Sequence, residues 1–296
     1  MNLSRRALMS STLSLIPAFA IPRSSSATIR PFSPGVHTLT EPYRPKSGET
    51  IDLTGVTLRH VSNTKLSGLI DVIDVEGVII LGGTFDANVQ GQSSWNEWLH
   101  AIRVLSSENV KIEGSIFQNL SGDGIYISQR TPTSLGSRDV DVLSCQFNGA
   151  NANRQGISII TATDVLIQKN VFVRMTRPDM PGAIDLEPDN PSQIIDNVRI
   201  LENTILGSSP RGVSIANGKG GTINNILIEG NQIERTKIGV LLRGSSRSNE
   251  WCIVQGNDFI KCRVGIEIKE MHPRIRANGF RGCKTRIKKH GKKKRG

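Results

Sequence analysis

The sequence predicts an all-β solenoid, a right-handed parallel β-helix of about eight to ten coils with three strands each. Three observations predict it. A phrase of alternating Val and Ile that closes on Phe or Ile recurs down the chain. A second strand with period-two alternation precedes each later copy, and a column of asparagines keeps register with both.

The phrase reads VIILGGTF (78–85), VKIEGSIF (110–117), VDVLSCQF (140–147), VLIQKNVF (165–172), VRILENTI (198–205), ILIEGNQI (226–233) and CIVQGNDF (252–259), with a degenerate PRIRANGF at 273–280. Its closing residues Phe85, Phe117, Phe147, Phe172, Ile205, Ile233, Phe259 and Phe280 stand 21 to 33 residues apart. A phrase kept at variable spacing describes coils whose loops differ in length. The second strand appears as AIRVL, GIYIS, GISII, AIDLE, GVSIA, GVLLR and GIEIK. Side chains alternate faces along a strand, so Ile125/Ile127, Ile157/Ile159, Ile184/Leu186, Val213/Ile215, Val240/Leu242 and Ile266/Ile268 point inward together. No copy can bury that face alone, and stacking the coils does so.

Two columns fix the register. Asn170, Asn203, Asn231, Asn257 and Asn278 each stand two residues before the closing Phe or Ile, where amides can bond turn backbone from coil to coil. Cys262 and Cys283 stand three residues after Phe259 and Phe280. Stacked strands lie ~4.8 Å apart, so this pair can close a disulfide or stack as thiols. Cys145 and Cys252 read as core.

Composition agrees with many short strands and tight turns: aromatics are 4%, with 29 Gly and 13 Pro. The net charge of +11 is concentrated, because seven cations and no acid fall within residues 286–296. A body near neutrality argues against nucleic acid, whose binders spread basic surface over the fold. The basic run reads first as a solvated, disordered tail, and only second as a contact for an anionic polymer or membrane. At the other end, MNLSRRALMSSTLSLIPAFA has a charged start, an apolar stretch and a small-residue site at Ala18–Phe19–Ala20. Ser4–Arg5–Arg6–Ala7–Leu8 is similar to a twin-arginine export signal. The expected organisation is a leader over 1–27, a β-helix over 28–285 and a basic tail over 286–296. It places the protein in the periplasm or outside the cell, without stable membrane insertion. Nothing in the sequence specifies an oligomer, so a monomer is expected.

Between the inward residues of the second strand, the outward ones form columns expected to face solvent. One holds Arg103, Tyr126, Ser158, Asp185, Ser214, Leu241 and Glu267; a second includes Glu187 and Arg243; a third includes His100, Asp123, Gln155 and Arg211. With Arg154, the central coils thus gather Asp123, Tyr126, Gln155, Asp185, Glu187 and Arg211. Asp185 and Glu187, two apart on one strand, have Cα atoms ~6.8 Å apart. Inverting glycosidases hold their carboxyl groups about 6.5–9.5 Å apart, so this pair permits acid–base hydrolysis. Arg154 and Arg211 permit another chemistry. Elimination beside a uronate needs its carboxylate neutralised by Arg or by calcium, with Tyr126, Arg or Lys as base. Calcium is the one cofactor to which the sequence points. The long loop 86–100 brings Trp95 and Trp98, rings that can stack on sugars or pin the loop to the body. No zinc spacing, phosphate-binding loop or Ser-His-Asp signature appears.

This pattern, over roughly residues 30–283, resembles the pectate-lyase-like β-helix superfamily. RQGISI (154–159), GAIDLEPDN (182–190) and NVRILENTI (197–205) are similar to bacterial β-helix repeat proteins. SGDGI (121–125) resembles the polygalacturonase catalytic segment, except that Gly124 stands where a second Asp is expected and no Gly-His-Gly follows. The resemblance implies an exported enzyme that cleaves an acidic polysaccharide, as lyase or hydrolase, along the β-helix face. The catalytic candidates are Asp185, Glu187, Asp123 and Arg211. Substrate-binding candidates are Tyr126, Arg154, Gln155, His100, Arg243, Trp95 and Trp98. The alternative is a non-catalytic glycan-binding or cell-surface β-helix.

Overall fold

A computed structural model describes residues 27–149, 154–177, 180–244 and 252–290. The expected leader, apart from Ala27, and residues 291–296 of the tail lie outside the described residues. The chain winds into three parallel sheets of ten, ten and nine strands, and each strand hydrogen-bonds to its equivalent one coil away. The first sheet runs from Thr28–Ile29 to Arg274–Arg276, the second from Gly35–Leu39 to Gly279–Arg281, and the third from Ile70–Ile73 to Thr285–His290. Among the described residues the only helix is the short 3₁₀ turn Val89–Gly91. The parallel β-helix expected from the repeat is the fold.

The repeated phrase spans the turn from the first sheet to the second. The residue before the asparagine column has positive φ in coil after coil, at Gly114, Ser144, Lys169, Glu202, Gly230, Gly256 and Ala277. One left-handed residue turns the chain sharply enough to start the next strand. The asparagines repay that strain. The amide of Asn203 donates to Asn231 Oδ1 (2.9 Å) and to Ile167 O (2.9 Å), while its Oδ1 accepts from the Asn170 backbone (2.9 Å) and amide (3.0 Å). The same pattern continues through Asn231 and Asn257 to Asn278.

Inside the coils, Phe85, Phe117, Phe147 and Phe172 stack with centroids 5.0, 4.6 and 4.6 Å apart. Ile205 and Ile233 continue the column until Phe259 and Phe280 resume it at 5.2 Å. These rings explain the Gly that opens many third-sheet strands. A Cβ at Gly156 would stand 2.5 Å from Phe172 Cε1, and one at Gly239 2.5 Å from Phe259 Cδ1. The ring of the following coil occupies the space a side chain would need.

Two expectations change. Thr285–His290 pairs in parallel with Val264–Lys269, so the boundary set at 285/286 falls inside a strand. Thr285, Ile287 and Lys289 sit over Val264, Ile266 and Ile268, continuing the coil although half of the segment is Lys or Arg. Also, much of the outward face of the third sheet is not open to solvent. Asp123, Gln155, Ser158, Asp185, Ser214 and Glu267 are all buried, and Tyr126 is largely covered. All four cysteines are free thiols: Cys262 Sγ points at Ile233 O (3.4 Å) and Cys283 Sγ at Phe259 O (3.4 Å), a stacked pair without a bond.

Candidate functional site

The register of the third sheet brings the site together. Tyr126 pairs with Arg103 on one side and Ser158 on the other, Ser158 with Asp185, and Asp185 with Ser214, in the order of the outward column. Loops from distant parts of the chain then cover this column. Glu97 and Trp98 come from the insertion before His100, Arg154 precedes its own strand, and Glu187 and Asp189 follow Asp185. Lys219 arrives from the next coil. Together these side chains enclose a cavity of about 200 Å³.

At one end, Asp123 Oδ1 accepts from Arg154 Nη1 at 2.6 Å, and Glu97 lies 3.4 Å from the same guanidinium. Burial still dominates, and it pushes the Asp123 carboxyl up to about 6 despite Arg154. His100 backs this corner. Its Nδ1 accepts the Asp123 backbone N–H at 3.1 Å, and burial, aided by Arg103 and Arg154, lowers it to about 3. The imidazole is therefore neutral, and its 3.5 Å approach to the Asp123 carboxylate is not an ion pair. Tyr126 stacks on it at 4.5 Å, and Trp98 meets it edge-on at the mouth, 59% exposed.

In the middle, Asp185 is buried and accepts from Gln155 Nε2 at 3.1 Å. Burial first, and Glu187 second, hold its carboxyl well above the usual carboxylate range, which favours its protonated form. Glu187 is half-buried and also raised, chiefly by burial, with Lys219 opposing. Lys219 is itself bound to Asp189 at 2.6 Å. Among the described residues, four buried polar atoms beside this cavity make no hydrogen bond of good geometry: Arg154 Nε, Gln155 Oε1, Ser158 Oγ and Asp185 Oδ1, although Ser158 lies beside Asp123 and Ser214 beside Asp185. Orphaned buried polar groups are costly and are filled by water or by a ligand.

Of the candidates read from the sequence, Asp123, Tyr126, Arg154, Gln155, Asp185, Glu187, His100 and Trp98 line this cavity. Three do not. Arg211 turns its Nη1 to Pro181 O at 2.8 Å, Arg243 is exposed outside the cavity, and Trp95 lies under the Arg177 guanidinium, 3.3 Å from the ring centroid. Trp95 thus pins its loop to the body. Glu97, Ser158, Asp189 and Lys219 are lining residues that the pattern did not single out. Ser158 already stood in the outward column; the other three lie on loops, where no periodicity marks them.

Fold and site define a parallel β-helix protein with an acid-rich cavity, open at one mouth, on its third sheet. A family model described as "Periplasmic copper-binding protein (NosD)" matches residues 141–293, and the chain belongs to the NosD family. No curated protein matches the sequence. Among solved structures, PfbA, a surface adhesin of Streptococcus pneumoniae, is similar at 17% identity and TM-score 0.59, covering 81% of this chain and 64% of that one. A tailspike protein of an E. coli bacteriophage, solved with a pentasaccharide, is similar at 14% identity and TM-score 0.62, covering 86% and 50%. An alpha-1,3-glucanase of Streptomyces thermodiastaticus is similar at 12% identity and TM-score 0.56, covering 82% and 50%. These likenesses carry the fold alone, and the chain spans 64% or less of each of those chains.

The family description raises copper, and the donor set does not fit it. Among the described residues no three His, Cys, Asp or Glu side chains converge as a metal site. His60 Nε2 donates to His100 O at 3.0 Å, His100 Nδ1 is taken by backbone, and Cys145, Cys252 and Cys262 are core. No step below runs through a metal. No helix of the described residues is long and apolar enough to cross a membrane.

Proposed function

We propose that the cavity hydrolyses a glycosidic bond in a polysaccharide met in the periplasm or beyond, with Asp185 as general acid and Glu187 as the base that activates water. The observation that carries this is Asp185: a buried carboxyl whose pKa burial raises, with one oxygen at the cavity lacking a hydrogen bond among the described residues, and a second carboxyl, Glu187, just past the end of its strand. A pair of carboxyls with different environments is what acid–base hydrolysis of a glycoside requires. In this reading Asp185 gives its proton to the leaving oxygen, and Glu187, the more exposed, takes one from water. Arg154 and Asp123 form a fixed ion pair beside them, and Trp98 and Tyr126 supply faces for sugar rings.

Charge refines the substrate. Glu97, Asp123, Asp185, Glu187 and Asp189 face only Arg154 and Lys219, and both cations are already paired. Among the described residues no free cation lines the cavity to meet a uronate carboxylate, so we favour hydrolysis of an uncharged sugar over elimination on an acidic one. The export-like leader and the family's periplasmic description support the location. The fold is shared with an adhesin, so binding without turnover is the competing reading.

Mature protein incubated with neutral and uronate-containing polysaccharides should release reducing ends without ultraviolet absorbance from unsaturated products. Asp185→Asn and Glu187→Gln should each lower that rate by 10²-fold or more, the scale of losing general acid or base catalysis. Unsaturated products, or full activity in both variants, would overturn this mechanism. Saturable binding with no new ends would establish the adhesin-like alternative.

A further inference from the structure

The last coil differs in charge from every feature used so far. Residues 252–270 carry three acids and three Lys or Arg, whereas 271–290 carry seven Lys or Arg and no acid. Those seven, Arg274, Arg276, Arg281, Lys284, Arg286, Lys288 and Lys289, are all exposed. Only part of the charge is answered. Arg281 meets Asp258 at 3.2 Å and Lys288 meets Glu267 at 4.0 Å, while Lys284, Arg286 and Lys289 make no ion pair among the described residues.

These cations surround an apolar end. Ile275, Phe280 and Cys283 are only partly covered and Ile287 is 38% exposed, although Val254, Phe259, Cys262 and Ile266 one coil earlier are fully buried. Among the described residues, Arg274–Arg276, Gly279–Arg281 and Thr285–His290 are also the outermost strands of their sheets, with no strand paired on one side. Such an edge invites a partner unless it is charged or covered.

The geometry points to this end as a docking surface for an anionic lipid bilayer, met end-on by the solenoid axis. An apolar centre ringed by Lys and Arg is what the headgroup boundary accepts: the side chains sink a few ångströms and the cations meet lipid phosphates. Edge N–H and C=O groups stay at headgroup level, where water and phosphate can bond them. A second copy of the chain is the poorer occupant. Two such ends repel, and the opposite end, residues 27–52, balances three acids with three Lys or Arg and so offers no complementary charge. An anionic polymer would answer the cations but not the apolar centre. Lys292, Lys293, Lys294 and Arg295 follow in sequence and add charge of the same sign.

The test is co-sedimentation of the full mature chain with phosphatidylcholine vesicles, with and without phosphatidylglycerol. Binding should require the anionic lipid and fall steeply between about 0.1 and 0.5 M salt as screening shortens. The triple variant Lys284→Glu/Arg286→Glu/Lys289→Glu should weaken it by roughly 100-fold or more. Ile287→Ser should weaken it roughly tenfold through lost apolar burial alone. Melting of each variant checks its folding, and the salt dependence of the unaltered protein stands if one fails to fold. Equal binding to neutral vesicles overturns the proposal. So does vesicle binding that neither variant changes, which would assign it to residues 291–296. If dextran sulfate in solution is bound as tightly and Ile287→Ser changes nothing, the end is a polyanion site instead. A self-associated species abolished by Ile287→Ser, without vesicle binding, would make it an interface between copies.

Discussion

Asp123 sits where burial and an ion pair pull in opposite directions. Its carboxyl, held at about 6, keeps a proton in the native state that the unfolded chain releases near the ordinary value of 3.8. The stability tied to that proton is complete below pH 4 and is lost as pH rises to about 6, a change on the order of 3 kcal/mol at 1.36 kcal/mol per pH unit. Asp185, also raised by burial, contributes a decline of the same sign. Thermal melts between pH 4 and 8 should show Asp123→Asn with a shallower fall than the unaltered protein over pH 4–6. Parallel curves would mean that Arg154 fully offsets the burial of Asp123. The alternation of the strands made the column of Asp185 and Ser158 legible, because facing follows from period two alone. Its burial was not legible. The cover comes from Glu97, Trp98, Arg154, Asp189 and Lys219, on loops spread over more than a hundred residues of sequence and bearing no repeat, so an outward face read as solvated became the lining of a cavity.

Single positions gain their meaning from the coil that repeats them. The asparagine column was legible because each member keeps a fixed offset from Phe or Ile, and the structure adds why: each amide serves a turn held open by a left-handed residue. Asn203→Ala removes four hydrogen bonds at a buried site, two accepted by Oδ1 and two donated by Nδ2, with an expected loss of about 3 kcal/mol or more from groups left unsatisfied. A urea midpoint within experimental error of the parent would show that water replaces the amide. The glycines of the third sheet answer to a neighbour rather than to their own turn. A Cβ at Gly239 would collide with Phe259 and also approach Gly265 O at 2.5 Å. Gly239→Ala should therefore destabilise, and Phe259→Leu should relieve only the part due to the ring. A double-mutant cycle measures that share, and strict additivity would deny the ring its role. The strand Thr285–His290 shows the limit of pattern reading at this scale. Five of its six residues are polar, and only Ile287, seated on Ile266, betrays the eleventh-hour turn of the solenoid.

At the scale of the whole molecule, a solenoid has no single core, and each coil rests only on its neighbours. Damage should therefore stay near where it is made. Phe147 is fully buried between Phe117 and Phe172, whereas Phe280 closes the ring column at the open basic end and is partly exposed. Phe147→Ala should cost about 3–5 kcal/mol, the usual range for a buried ring. It should also unsettle the strands that line the cavity, because Phe147 packs against Gly124 beside Asp123, and its neighbour Phe172 packs against Gly156, which opens the strand of Ser158. Phe280→Ala should cost less and act locally, opening residues 252–290 while the cavity stays intact. Hydrogen exchange resolves the two, since local opening lowers protection only in the coils that open. In Phe280→Ala, peptides covering 97–128 and 155–173 should keep the protection of the unaltered protein while those from 264 onward lose theirs. If protection falls together along the chain, the coils unfold as one cooperative unit. The basic end would then be energetically coupled to the cavity, so that whatever docks on the last coil could stabilise the site four coils away.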